Sequence, residues 1–149
     1  MNTNKKTRSL LEDVNVNVKI KLSALWVALM FFYIYRDILG FMEPGYLKQF
    51  MAGEIEGIQI TQTLLLGSAI IQAIPSVMVF LSLTLKAKAN CWANIILGIV
   101  YIAVLVAFST MGEISILYLF YASVEGVLLV LIIWHAWKWP KQESVEVTP

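Results

Sequence analysis

The sequence predicts an all-α membrane protein, a four-transmembrane-helix bundle with a short amphipathic outer segment between helices 1 and 2. Three observations lead there. Of the 149 residues, 59% are hydrophobic and 14% charged, against about 45–50% and about 25% in soluble domains. Four apolar runs each reach the length of about 20 residues that a hydrocarbon core of about 30 Å demands. Lys and Arg gather between alternate runs, as a chain threading back and forth through a membrane requires.

The elements follow in order. Residues 1–21 are polar and carry Lys5, Lys6, Arg8, Glu12, Asp13, Lys19 and Lys21. Residues 13–19 alternate apolar and polar side chains with no second strand nearby, so residues 1–21 are predicted to be an extended or poorly ordered cytoplasmic arm. Its composition is unlike that of a secretory signal. The membrane domain is expected over residues 22–139. Its first span, 22–42, has Trp26 near its start, where an interfacial anchor would stand. Arg36 and Asp37 fall in its last third. At 1.5 Å per residue, Asp37 lies roughly 7 Å below Met42, within snorkelling distance of water. Glu43-Pro44-Gly45 ends the helix, because the residue before a proline avoids helical angles.

Residues 46–59 place Leu47, Phe50, Met51, Ile55 and Ile58 at helical spacing among polar residues. They are too short and too polar to span, and are predicted to lie at the interface as an amphipathic helix. The second span, 60–85, contains Pro75. A proline has no N–H, so one carbonyl is left for a neighbouring helix or for Ser76 to satisfy. A short basic loop with Lys86 and Lys88 leads to the third span, 92–111. After the Gly112-Glu113 turn, the fourth span covers 114–137. It ends in a belt of Trp134, Trp137, Lys138, Trp139 and Lys141. Residues 140–149 form a polar tail.

Nine basic residues (Lys5, Lys6, Arg8, Lys19, Lys21, Lys86, Lys88, Lys138, Lys141) fall on one side of the predicted spans, and two (Arg36, Lys48) on the other. By the positive-inside rule both termini are expected to be cytoplasmic, in an inner (plasma) membrane. A net charge of +1 offers no basic field for nucleic acid. One cysteine, Cys91, excludes an intramolecular disulfide, and one histidine, His135, excludes a two-histidine metal or haem site within the chain. No phosphate-binding loop, metalloprotease motif or nucleophile elbow is present. No cofactor, metal or catalytic residue is therefore assigned.

Polar residues share faces. Tyr33, Arg36, Asp37 and Gly40 form one stripe on the first helix. Ser68, Gln72 and Ser76 form one on the second, Asn94, Gly98 and Tyr101 on the third, and Tyr118, Tyr121 and Glu125 on the fourth. Four polar stripes predict a bundle that turns them inward, away from lipid. Gln72 and Glu125 each lie roughly 17 Å below the outer surface, near the midplane, with Tyr33 at a similar level. Glu125 is the ionisable group least able to reach water. The candidate ligand-binding residues are Glu125, Arg36, Tyr33, Asp37, Gln72, Tyr121 and Asn94, with Arg36 able to pair with either Glu125 or Asp37. For each, the bland alternative is interhelical hydrogen bonding.

Several stretches resemble a known family. They are Val14-Asn-Val-Asn-Val-Lys19-Ile-Lys21-Leu-Ser-Ala-Leu-Trp26, Tyr33-Ile-Tyr-Arg-Asp37, Pro44-Gly45-Tyr-Leu47 and Met51-Ala-Gly53-Glu-Ile55. Later landmarks are Ile74-Pro75-Ser-Val-Met-Val-Phe-Leu-Ser82-Leu83, Asn94-Ile-Ile-Leu-Gly98-Ile-Val-Tyr101 and Trp134-His-Ala-Trp137-Lys-Trp139-Pro140. Over roughly residues 12–140 the chain resembles a bacterial family of small four-helix membrane proteins, a domain of unknown function, in the neighbourhood of the DoxX-like membrane proteins. The resemblance implies four helices and a bacterial inner membrane. It transfers no activity.

Three functional readings stay open. The bundle binds or moves a small, partly apolar ligand or lipid; or it is a structural or accessory subunit, with a homo-oligomer among its assemblies; or it is a membrane enzyme acting on a lipid-like substrate, with Glu125 as acid or base. The first is preferred, and the balance is against an enzyme. Membrane lipids are partners under all three.

Overall fold

The computed structural model describes residues 14–55, 57–110 and 115–140. In chain order these form α1 (Val18–Gly40), α2 (Tyr46–Met51), β1 (Glu54–Ile55), β2 (Ile58–Gln59), α3 (Gln62–Thr84), α4 (Ala87–Ser109) and α5 (Ile116–Trp137). The four long helices have 22 or 23 residues each and are apolar enough to cross a membrane. The chain is an all-α, multi-pass membrane protein. The arm over 1–13, the Gly112-Glu113 turn and the tail from 141 lie outside the described residues.

Two helices, α1 and α4, begin before their apolar runs, and α1 does so on a polar cap. Asn17 caps α1, its side-chain oxygen accepting from the Lys19 amide at 2.9 Å. Lys19 and Lys21 are therefore helical. The Lys19 Nζ donates to the carbonyls of Leu83 at 3.2 Å and Leu85 at 2.7 Å. A cation at the C-terminus of α3 meets carbonyls that have no helical partner, at the negative end of the helix dipole. α4 starts at Ala87, so only Leu85 and Lys86 link α3 to α4. Cys91, predicted in a loop, sits in α4 with its Sγ 3.0 Å from the Ala136 carbonyl oxygen of α5. Thr61 and Ser115 cap α3 and α5 through their hydroxyls.

The predicted amphipathic helix covers less than half of its segment. α2 has six residues, and the chain then turns into a two-stranded antiparallel hairpin pairing Ile55 with Ile58. Gly53 and Gly57 explain the change: both adopt positive φ, at 82° and 80°, which a continuing helix does not allow. The segment is pinned to the end of α1 by Phe41, whose ring meets that of Phe50 edge-to-face at 5.1 Å.

α1 is the central helix. It packs along α3 and α5, α4 packs along α5, and α3 meets α4 at few points. Each long helix buries one stripe: Leu22, Trp26, Leu29 and Tyr33 on α1; Asn90, Asn94, Gly98 and Tyr101 on α4; Tyr121, Glu125, Leu129, Ile132 and Ala136 on α5. These stripes are built from steps of three and four residues, which keep to one face of a helix. Gly98 marks the closest approach of α4 to α5. A Cβ there would stand 2.6 Å from Cγ1 of Ile133. Small residues at such points let helix backbones approach, which is how helices associate where lipid removes the hydrophobic driving force.

α3 corrects one expectation. Its buried residues are Pro75, Met78 and Ser82, whereas Ser68, Gln72 and Ser76 are exposed. The face that α3 turns inward is the one carrying Pro75, Met78 and Ser82, and Gln72 and Ser76 do not share it. The track along that face is Leu64, Ser68, Ile71, Pro75, Met78, Ser82. Its half near the chain termini is buried and its far half is open. Ser76 satisfies itself locally, donating to the Gln72 carbonyl at 3.1 Å.

Pro75 divides the two halves. Its missing N–H leaves the Ile71 carbonyl without a helical donor. The Tyr101 hydroxyl of α4 donates to that carbonyl. Tyr101→Phe is expected to cost about 1–2 kcal/mol by stranding it. In a Pro75→Ala background, where alanine supplies the backbone donor, the same change should cost close to nothing. Thermal unfolding of the four proteins in one detergent measures the coupling; equal costs in both backgrounds would show that Tyr101 does not serve this carbonyl.

Candidate functional site

The interior holds two polar layers. Nearer the chain termini, the Trp26 indole N–H donates to Asn94 Oδ1 at 2.7 Å. The Asn94 amide donates to Asn90 Oδ1 at 2.7 Å and to the Asn90 carbonyl at 2.9 Å. The Asn90 amide in turn donates to the Ser82 carbonyl at 2.6 Å, near the end of α3. Trp26 is fully buried. It was expected at the membrane interface, but α1 begins at Val18, which places it about 12 Å along the helix. Asn94 therefore belongs to a chain that ties α1, α3 and α4 together, and not to the surroundings of Glu125.

The second layer lies farther from the termini. Glu125, on the inward face of α5, is 5% exposed. Tyr33 on α1 donates its hydroxyl to Oε1 at 2.8 Å. Arg36, one turn further along α1, places Nη1 3.4 Å from Oε2. The same guanidinium reaches Asp37, with Nε 3.6 Å from Oδ1. It also lies over the Tyr33 ring, with Cζ 5.3 Å from the centroid. Arg36 thus bridges both acids rather than choosing one. Its side chain is 35% exposed and that of Asp37 45%, so the series Glu125–Arg36–Asp37 runs from a dry interior to the rim.

Tyr121 stands one turn from Glu125 on the same face of α5, buried, with its ring edge-to-face on Phe32 of α1 at 5.7 Å. The structure therefore brings together Glu125, Tyr33, Arg36, Asp37 and Tyr121. Gln72 is exposed on α3 and Asn94 lies in the other layer. Trp26 and Tyr101 join the layers through an edge-to-face contact at 6.1 Å. Sequence reasoning overlooked Asn90, Trp26 and Lys19. The spacing Asn90–Asn94–Gly98–Tyr101 is the signal that would have revealed Asn90.

Glu125 accepts from a neutral and a cationic donor, both from α1. An ion pair with a hydrogen-bonded phenol offset at this depth couples two helices and leaves a carboxylate that a competing donor could engage. Among the described residues, no three of His, Cys, Asp and Glu come together.

No curated protein and no solved structure matches the chain. A family model does match, over residues 11–146, which is most of the chain and includes both polar layers and all four long helices. The protein accordingly belongs to DUF6326, a family of unknown function.

Proposed function

We propose that this multi-pass protein binds a small, partly apolar molecule in the far half of its bundle, with Glu125 as the polar anchor. One observation carries the reading: a buried carboxylate, held from the α1 side by Tyr33 and Arg36, sits at the level where the inward track of α3 is uncovered. Ionisable groups inside membrane bundles mark ligand or ion sites more often than acids on soluble surfaces do. A ligand with a hydrogen-bond donor or a cationic group would compete with Arg36 for Glu125. Its apolar part would lie against Tyr33 and Tyr121, and the opening beside α3 would admit it from the membrane. The asymmetry of Lys and Arg supports an orientation with both termini cytoplasmic, in a bacterial inner membrane. A wider kinship with DoxX-like proteins rests on the resemblance alone.

Glu125→Gln tests the proposal. Glutamine keeps the shape and an acceptor for Tyr33, while Arg36 retains Asp37 and access to the rim. The variant should unfold within a few degrees of the wild type. Mass spectrometry of small molecules extracted from the two purified proteins should show a species present with the wild type and depleted at least tenfold with the variant. Identical extracts would instead favour the second reading, a structural subunit in which Glu125 only joins α1 to α5; the same two hydrogen bonds support that alternative.

A further inference from the structure

A second candidate site lies at the opposite end of the bundle, where the chain's termini emerge. A groove of about 910 Å³ runs between the segment entering α1, the first turns of α4 and the end of α5. Its walls include Trp92, Trp137, Trp139, Lys19 and Lys88, and no acid is among the described residues that line it. The wider charge pattern agrees. Among the described residues, the carboxylates Asp37, Glu43, Glu54 and Glu125 belong to the far half, while Lys19, Lys21, Lys86, Lys88 and Lys138 cluster at this end. Lys19 is engaged with the last carbonyls of α3. Lys88 is exposed and makes no ion pair among the described residues.

Two apolar rows lead from the groove into the membrane. On α4, Trp92, Ile96 and Ile99 follow at i, i+4, i+7; on α5, Trp137, Trp134, Val130 and Val127 step back at i, i−3, i−7, i−10. All seven are exposed. Each row begins at a tryptophan that lines the groove.

We propose that this groove seats the headgroup of an anionic phospholipid from the adjoining leaflet. Its phosphate would lie by Lys88, its glycerol region between Trp92 and Trp137, and its acyl chains along the two exposed rows. Charge complementarity selects an anion, and the apolar rows select a lipid over a soluble phosphate. Basic pockets between membrane helices recognise anionic headgroups in this way, and interfacial tryptophans suit the glycerol level. The proposal is independent of Glu125.

The test uses the full chain in phosphatidylcholine vesicles containing a lipid brominated high on one acyl chain, so that bromine quenches tryptophans it touches. Brominated phosphatidylglycerol should reach half-maximal quenching at a mole fraction about fivefold below that of brominated phosphatidylcholine. Lys88→Gln should remove most of that preference. Lys86→Gln, which deletes the same charge from a residue outside the groove lining, should keep it. Equal quenching by the two lipids would overturn the proposal. So would equal loss in both variants, which would mean a general surface field. Failure of either lipid to quench would mean that the chain's own terminal segments or a second copy fills the groove, and would overturn it too.

Discussion

Trp26→Ala is expected to lower the free energy of unfolding by about 3 kcal/mol or more, the largest effect of any single replacement considered. The side chain is fully buried in the central helix, hydrogen-bonded to Asn94 and edge-on to Tyr101. In a bilayer the loss is not one of apolar area hidden from water. It is the loss of dispersion contacts around an indole-sized void, together with a stranded Asn94 oxygen. Trp26→Phe separates the two. It keeps most of the volume and removes the N–H, so it should cost about 1–2 kcal/mol. Thermal unfolding in detergent resolves both. A Trp26→Ala protein that melts with the wild type would place this residue at the lipid surface, against the packing described.

The second large effect is expected at Arg36. Removing one partner of a buried ion pair leaves a charge without compensation, at a cost of about 3–5 kcal/mol in enclosed sites. Arg36 is 35% exposed, so Arg36→Met should fall at or just below the low end of that range. Asp37→Asn should cost less than about 1 kcal/mol, because the acid is 45% exposed and held at 3.6 Å. The decisive protein is the double variant Arg36→Met/Glu125→Leu. When both charges give way to apolar groups, much of the lost stability should return. A double variant as unstable as the sum of its parts would mean that the two side chains do not share an interaction, and the site would lose its centre.

Much of the bundle was legible because its signals are one-dimensional. Run length predicted four spanning helices. The spacing of Asn94, Gly98 and Tyr101, and of Tyr121 and Glu125, predicted inward faces, and those residues are buried. The inward reach of Arg36 to Glu125 could be anticipated as geometry, though not its simultaneous hold on Asp37. Trp26 was misread because a tryptophan near the start of an apolar run suits an interface, and only the cap at Asn17 shows that the helix starts earlier. Gln72 was misread because a polar residue in a span suggests an inward face. Which side of α3 turns inward is decided by packing around Pro75 and Met78, and sequence spacing does not carry that information. The Gly53 and Gly57 hairpin was readable only as a weakness in a helix, since a positive φ becomes a defined turn only once Ile55 and Ile58 pair.

The bond from Tyr101 to the carbonyl opposite Pro75 bears on how the chain enters the membrane. α3 is synthesised before α4, and on its own it carries a backbone oxygen that hydrocarbon cannot satisfy. The Asn90 amide adds a second dependence, since it too comes from α4 to serve α3, at the Ser82 carbonyl. With only Leu85 and Lys86 between them, the two helices are adjacent in the chain when these bonds form. α4 thus completes the polar backbone of α3, even though in the finished bundle each packs more closely against a different neighbour.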